Sequence, residues 1–125
     1  MSGLAGKRIL VVEDEALIAF ALEDMLAELG CAVVGPALRV ADGEALAAGA
    51  AIDAAILDVN LNDSRSYPVA EHLARRGIPF LFATGFDQPG LEWHGVGAEL
   101  VPKPYRQAQI RDALLRLFEG ADEAA

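Results

Sequence analysis

Residues 8–15 read RILVVEDE, a short apolar and β-branched run that breaks abruptly into Glu13, Asp14 and Glu15. A run of this length without polar alternation predicts a strand buried on both faces, with its carboxyl end delivering acids to one edge of a sheet. The pattern recurs. AAIL (54–57) ends on Asp58, PFLFA (79–83) ends on Thr84, and Leu100-Val101 is followed closely by Lys103. Cys31 to Val34 form a further apolar run, which Gly35-Pro36 is expected to close.

Helical patterns separate these runs. Leu17, Ile18, Ala21, Leu22, Met25, Leu26 and Leu29 repeat at three- and four-residue intervals before Gly30, which predicts a helix with those residues inward. A second helix is expected from about Val40 to Ala48, stopped by Gly49. Pro68 suits the first turn of a third, which runs through Val69, Leu73 and Arg76 to Gly77. The last helix places Ile110, Leu114, Leu117 and Phe118 on one stripe, and Gly120 with the acidic tail should fray. Between Phe86 and Gly97 the pattern degrades around Pro89, Gly90, Gly95 and Gly97, so the fourth helix should be short or irregular, about one turn near Leu91 to His94.

Five strands alternating with helices predict right-handed βαβ crossovers and a parallel sheet covered on both sides. The expected architecture is α/β, a flavodoxin-like (βα)5 three-layer sandwich with strand order 2-1-3-4-5. That order sets the first and third strands side by side at the switch point where ligands bind.

The 125 residues suffice for one core and are read as a single domain, 1–125. A 54% apolar and 23% charged composition fits a globular protein. The net charge of -9 and scattered basic residues oppose binding to a nucleic acid. Residues 1–15 lack the apolar stretch of a signal peptide, and ALAAGAAIDAAIL (45–57) is interrupted by Asp53 and too short to span a bilayer. No membrane partner is expected. The lone Cys31, in an apolar stretch, reads as a core residue and suits a reducing cytoplasm.

The strand-end residues define a chemistry. Carboxylates from the first and third strands repel each other at neutral pH and need a cation. Magnesium, which prefers oxygen and retains water, would be served by Asp14, Asp58, a backbone carbonyl such as that of Asn60, and Glu13 through water. No His or Cys cluster suggests zinc. Lys103 and the Thr84 hydroxyl would hold a phosphoryl group, with backbone N–H groups after Asp58 and Thr84 as further donors and Gly85 permitting close approach. Asp58 is then a carboxylate nucleophile that forms an acyl phosphate.

The segments ILVVEDE, AAILDVNL, FATG and VPKPY together resemble the response regulator receiver domain of two-component signalling, over residues 7–119. The resemblance implies transfer from a phosphohistidine on a sensor histidine kinase or phosphotransfer protein to Asp58. It implies magnesium at Glu13, Asp14, Asp58 and the Asn60 carbonyl, phosphoryl contacts from Thr84 and Lys103, and a cis Lys103-Pro104 peptide. The FATG segment is similar to a subgroup common in alphaproteobacteria. Leu100 departs from the family pattern, which has Tyr or Phe three residues before the lysine, so coupling would pass through Phe86, Trp93 or Tyr105. With only a short tail after the last helix, the output is expected to be binding of a downstream protein or phosphorelay. A face including Trp93, Arg106 and Arg111 is available to a partner or a homodimer.

Other residues receive plainer readings. Glu15 is a first-turn helix residue, Asp53, Asp63 and Asp87 are solvated loop acids, and His72 and His94 are structural or surface residues. The stretch NLNDSRSYP (60–68) reads as a functional loop rather than a hairpin. An alternative function is a small magnesium-dependent phosphohydrolase with Asp58 as nucleophile. Asn60 two residues on, where such an enzyme needs a second acid, and the lack of a cap insertion argue against it. A degenerate module that takes no phosphate is disfavoured by the complete acid, Thr and Lys set.

Overall fold

A computed structural model describes residues 3–61, 64–84 and 99–124, with the side chains of Thr84 and of residues 120–124 outside that description. Among the described residues the strands are β1 (Arg8–Val12), β2 (Ala32–Ala37), β3 (Ala54–Asp58), β4 (Asn60–Leu61), β5 (Ser64–Arg65), β6 (Phe80–Thr84) and β7 (Glu99–Pro102). Four helices are described: α1 (Ala16–Glu28), α2 (Val40–Gly49), α3 (Tyr67–Arg75) and α4 (Gln107–Ala124). The five long strands form one parallel sheet ordered β2-β1-β3-β6-β7, which is the expected 2-1-3-4-5 arrangement. The expected short fourth helix falls between residues 85 and 98, outside the described residues.

Alternate residues of each central strand enter opposite cores, because successive side chains of a strand point to opposite faces. Ile9, Val11, Ala54, Ile56, Leu81 and Ala83 pack with Leu22 and Leu26 of α1 and Ile110 and Leu114 of α4. Leu10, Val12, Ala55, Leu57, Phe80 and Phe82 pack with Ala47 of α2 and Val69 and Leu73 of α3. Both faces of the sheet are therefore dry, which explains why its strands read as unbroken apolar runs. Phe82 sits edge-on to both Phe80 and Tyr67, at centroid distances of 5.5 and 5.7 Å. Cys31 is buried as expected and faces the Leu4 carbonyl at 3.6 Å.

Several local expectations change. The second strand does not close at Gly35-Pro36 but continues to Ala37, with a register shift opposite Leu10 and Val12. Gly35 makes this possible: its φ is +92°, and a Cβ there would lie 2.8 Å from the Ala37 nitrogen. Gly49 is the last residue of α2 rather than its stop. In α1, Ala19, Leu22 and Leu26 are buried, whereas Leu17 is 84% exposed and Phe20 51% exposed. The inward stripe is thus rotated away from Leu17 and Ala21. Glu15 precedes the helix in extended conformation as its N-cap rather than lying in its first turn. The backbone of α4 stays helical past Gly120 to Ala124, where fraying was expected.

Two ties that sequence did not disclose close the fold. Asp53, read as a solvated acid, accepts a 2.8 Å hydrogen bond from the Arg8 backbone N–H and a 3.4 Å contact from the Arg8 guanidinium. These hold its carboxyl below the ordinary range. Gly43 lets α2 approach the sheet: a Cβ there would stand 3.1 Å from Val69 and 3.2 Å from Val12 methyl carbons. Among the described residues no helix is long and apolar enough to cross a membrane.

Candidate functional site

The carboxyl ends of β1, β3 and β7 meet at one edge. Val12 is level with Leu57, so the residues that follow them, Glu13 and Asp58, emerge together. The Glu13 N–H donates to the Ala37 carbonyl at 3.0 Å, so the unforeseen extension of β2 anchors the turn that carries the acids. Asp58 is level with Ala83, and Thr84 is level with Pro102, the residue before Lys103. Lys103-Pro104 is cis, as is Gly35-Pro36.

Glu13, Asp14 and Asp58 each place a carboxylate oxygen within 4.8 Å of the others. Glu13 and Asp58 are buried and Asp14 is partly exposed. The Lys103 Nζ lies 2.9 and 3.0 Å from the two Glu13 oxygens and 2.9 Å from Asp58 Oδ2. Lysine was expected to face a phosphoryl group and Glu13 to act through water. Here one ammonium bridges both acids, as buried carboxylates require a cation.

Burial, and then hydrogen bonding and repulsion from Asp58, push the Glu13 carboxyl up to about 8 against the pull of Lys103. Burial lowers Lys103, but its bonds and charge interactions with Asp58 and Glu13 leave it above its ordinary value. Near neutrality Glu13 therefore favours its protonated form and Lys103 remains an ammonium. Tyr105, expected as a possible coupling aromatic, is a core residue. Its hydroxyl is buried without a partner among the described residues, and burial with the nearby Glu13 and Asp58 charges keeps it protonated.

This carboxyl makes stability depend on pH in a definite direction. Glu13 holds its proton more tightly folded than at the ordinary value of 4.5, so its contribution is full below that value and is lost as pH rises through about 8. With a chelator present, the urea midpoint should fall from about pH 5 to about pH 9, and Glu13→Gln should flatten that fall. A wild-type midpoint that rises across the interval would contradict this.

The segment after Asp58 is a small antiparallel hairpin, not an open loop: Asn60 pairs with Arg65 and Leu61 with Ser64. The Val59 N–H, expected to be available to a phosphoryl group, is used by the Ala83 carbonyl at 3.2 Å. The Asn60 N–H instead approaches Asp58 Oδ1 at 3.3 Å. The Arg65 guanidinium donates to the Asn60 side-chain oxygen. Sequence reasoning missed Arg65, because a lone arginine in a polar stretch gives no periodic signal. His72 faces Glu44 at 3.5 Å, consistent with a surface role between helices. The Thr84 side chain, Gly85, Phe86, Trp93, His94, Asp63 and Asp87 lie outside the described residues, and Leu100 is half exposed on β7.

Residues 9–115 match the family model of the response regulator receiver domain. The chain belongs to that family. The receiver is similar to SdrG from Sphingomonas melonis, at 44% identity and a TM-score of 0.80 over 94% of this chain and 99% of that one. It is 30% identical to the response regulator PhyR from Brucella abortus, with a TM-score of 0.80 over 96% of this chain and 51% of that one. It is also similar to the receiver domain of the sensor histidine kinase PA1611 from Pseudomonas aeruginosa, at 25% identity and a TM-score of 0.78 over 90% of this chain and 98% of that one. The PA1611 structure has a magnesium ion coordinated in its active-site cleft. Comparison with curated proteins finds no match. The sheet order and acidic cluster of this receiver agree with its membership in two-component signalling.

Proposed function

We propose that this receiver takes a phosphoryl group on Asp58 from a phosphohistidine and signals through the acyl phosphate. The observation that carries this is the Asp58 carboxylate itself: buried at a strand end, held by Lys103 at 2.9 Å and gathered with Glu13 and Asp14. An Asp58 oxygen attacks phosphorus, the P–N bond of the donor breaks, and its electron pair returns to the imidazole nitrogen. Lys103, already within reach of both acids, turns from them to a phosphoryl oxygen, and the Thr84 hydroxyl supplies another contact.

Glu13, Asp14, Asp58 and the Asn60 carbonyl would hold magnesium. The donor set fits it: clustered carboxylate oxygens and no soft ligand among them. When bound, the ion would offset the repulsion among the carboxylates and the charge on the incoming group. Loss of the phosphoryl group by attack of water resets the switch, with no other substrate turned over.

We read residues 1–125 as a single domain, acting in the cytoplasm by binding a downstream protein or relaying the phosphoryl group, within the FATG-type alphaproteobacterial subgroup. The similarity to SdrG supports that placement. A homodimer through the Arg106 and Arg111 face is compatible with the exposure of both residues.

The donor is read as a protein, a sensor histidine kinase or phosphotransfer protein, because Leu17 and Phe20 stand exposed on α1, one turn apart and just beyond Asp14. Replacing both with Glu should slow transfer from a phosphohistidine protein by about tenfold or more, as loss of an apolar anchor does. Labelling by acetyl phosphate should be unchanged. Equal rates with the protein donor for variant and parent would remove this docking site.

A further inference from the structure

Arg65, on β5, is connected through Asn60 to Asp58. It pairs with Asn60 across the hairpin, its guanidinium donates to the Asn60 side chain, and the Asn60 N–H approaches Asp58 Oδ1 at 3.3 Å. Two hydrogen bonds thus link the guanidinium to the Asp58 carboxylate. The hairpin is fixed at its base by the Ser66 N–H, which donates to the Val59 carbonyl at 3.0 Å.

The partner Arg65 holds is a neutral amide oxygen, and among the described residues no carboxylate pairs with it. Arginine binds carboxylate or phosphate oxygens more strongly than a neutral amide and presents a planar fork suited to them. A half-buried guanidinium on an uncharged acceptor is therefore exchangeable when a doubly charged oxygen cluster arrives. Arg65 would then add a guanidinium to the ammonium of Lys103 as donors to the oxygens of the incoming group.

We propose that Arg65 is a phosphoryl-binding residue, which leaves the Asn60 side chain for an oxygen of the incoming phosphoryl group and stays with it on Asp58. This rests on Asp58 being the phosphoacceptor. The competing role is a structural pin that only holds Asn60 in place. The two differ in their effect on magnesium: loss of a cation near the acids should leave metal affinity equal or tighter, whereas loss of a pin on the Asn60 ligand should weaken it.

The test uses the full chain with Arg65→Gln, Arg65→Lys and the control Asp58→Asn. Labelling by acetyl phosphate is followed by intact mass at varied donor concentration, and magnesium affinity is measured separately by calorimetry. Arg65→Gln should lower the labelling efficiency by about tenfold, through a higher half-saturating acetyl phosphate concentration, as loss of one charge-assisted hydrogen bond would. Magnesium affinity should not fall, and Arg65→Lys should recover part of the loss. Labelling of Arg65→Gln at the parent rate, or a loss matched by weaker magnesium binding that Lys does not relieve, would overturn the assignment. Asp58→Asn labelled like the parent would instead remove the phosphoacceptor reading on which it rests.

Discussion

Replacing Lys103 with methionine is expected to lower the unfolding free energy of the protein in chelator by about 3 kcal/mol at neutral pH, the lower end of the cost of breaking a buried ion pair. The ammonium is the cation shared by Glu13 and Asp58, both of them buried, and methionine fills similar space without charge. The lower end applies because Glu13, with its carboxyl pushed up to about 8, already keeps a proton near neutrality. The residual cost is one buried carboxylate without its partner. Saturating magnesium should restore part of the loss, since the cluster then has another cation. Urea denaturation in chelator and in magnesium measures both quantities. Equal stability of variant and parent in chelator would show that the ammonium does not hold the acids together.

The architecture was legible because both faces of the sheet are covered. Ile9 to Val12, Ala54 to Leu57 and Phe80 to Ala83 have no wet side to pattern, so each stands out as an unbroken apolar run. The site was legible for a related reason: chemistry-bearing residues directly follow those runs, and a parallel sheet brings its carboxyl ends together. Glu13, Asp14, Asp58 and Lys103 meet as read.

What remained hidden depends on contacts distant in sequence or on directions that periodicity does not set. The α1 repeat announces an amphipathic helix, but it does not say that Leu17 faces outward and Ala19 inward, because nearly every position there is apolar. Asp53 looked solvated because its partner, Arg8, lies on a neighbouring strand. The β4–β5 hairpin has two residues on each side and mostly polar composition, too little for an alternating pattern. Gly35-Pro36 reads as a stop in one dimension, yet the positive φ of the glycine carries β2 on to Ala37 and secures Glu13.

The most complete effect should come from Asp58. In the proposed reaction its carboxylate is the nucleophile, and it accepts from both the Lys103 ammonium and the Asn60 N–H. Asparagine preserves size and one of the two accepting oxygens but cannot supply a carboxylate oxygen to phosphorus. The decisive measurement is intact mass after incubation with magnesium and acetyl phosphate. The parent chain should gain one phosphoryl group and Asp58→Asn none. A variant that gains the group as readily as the parent, or a parent that never gains it, would contradict the assignment of position 58 as the acceptor.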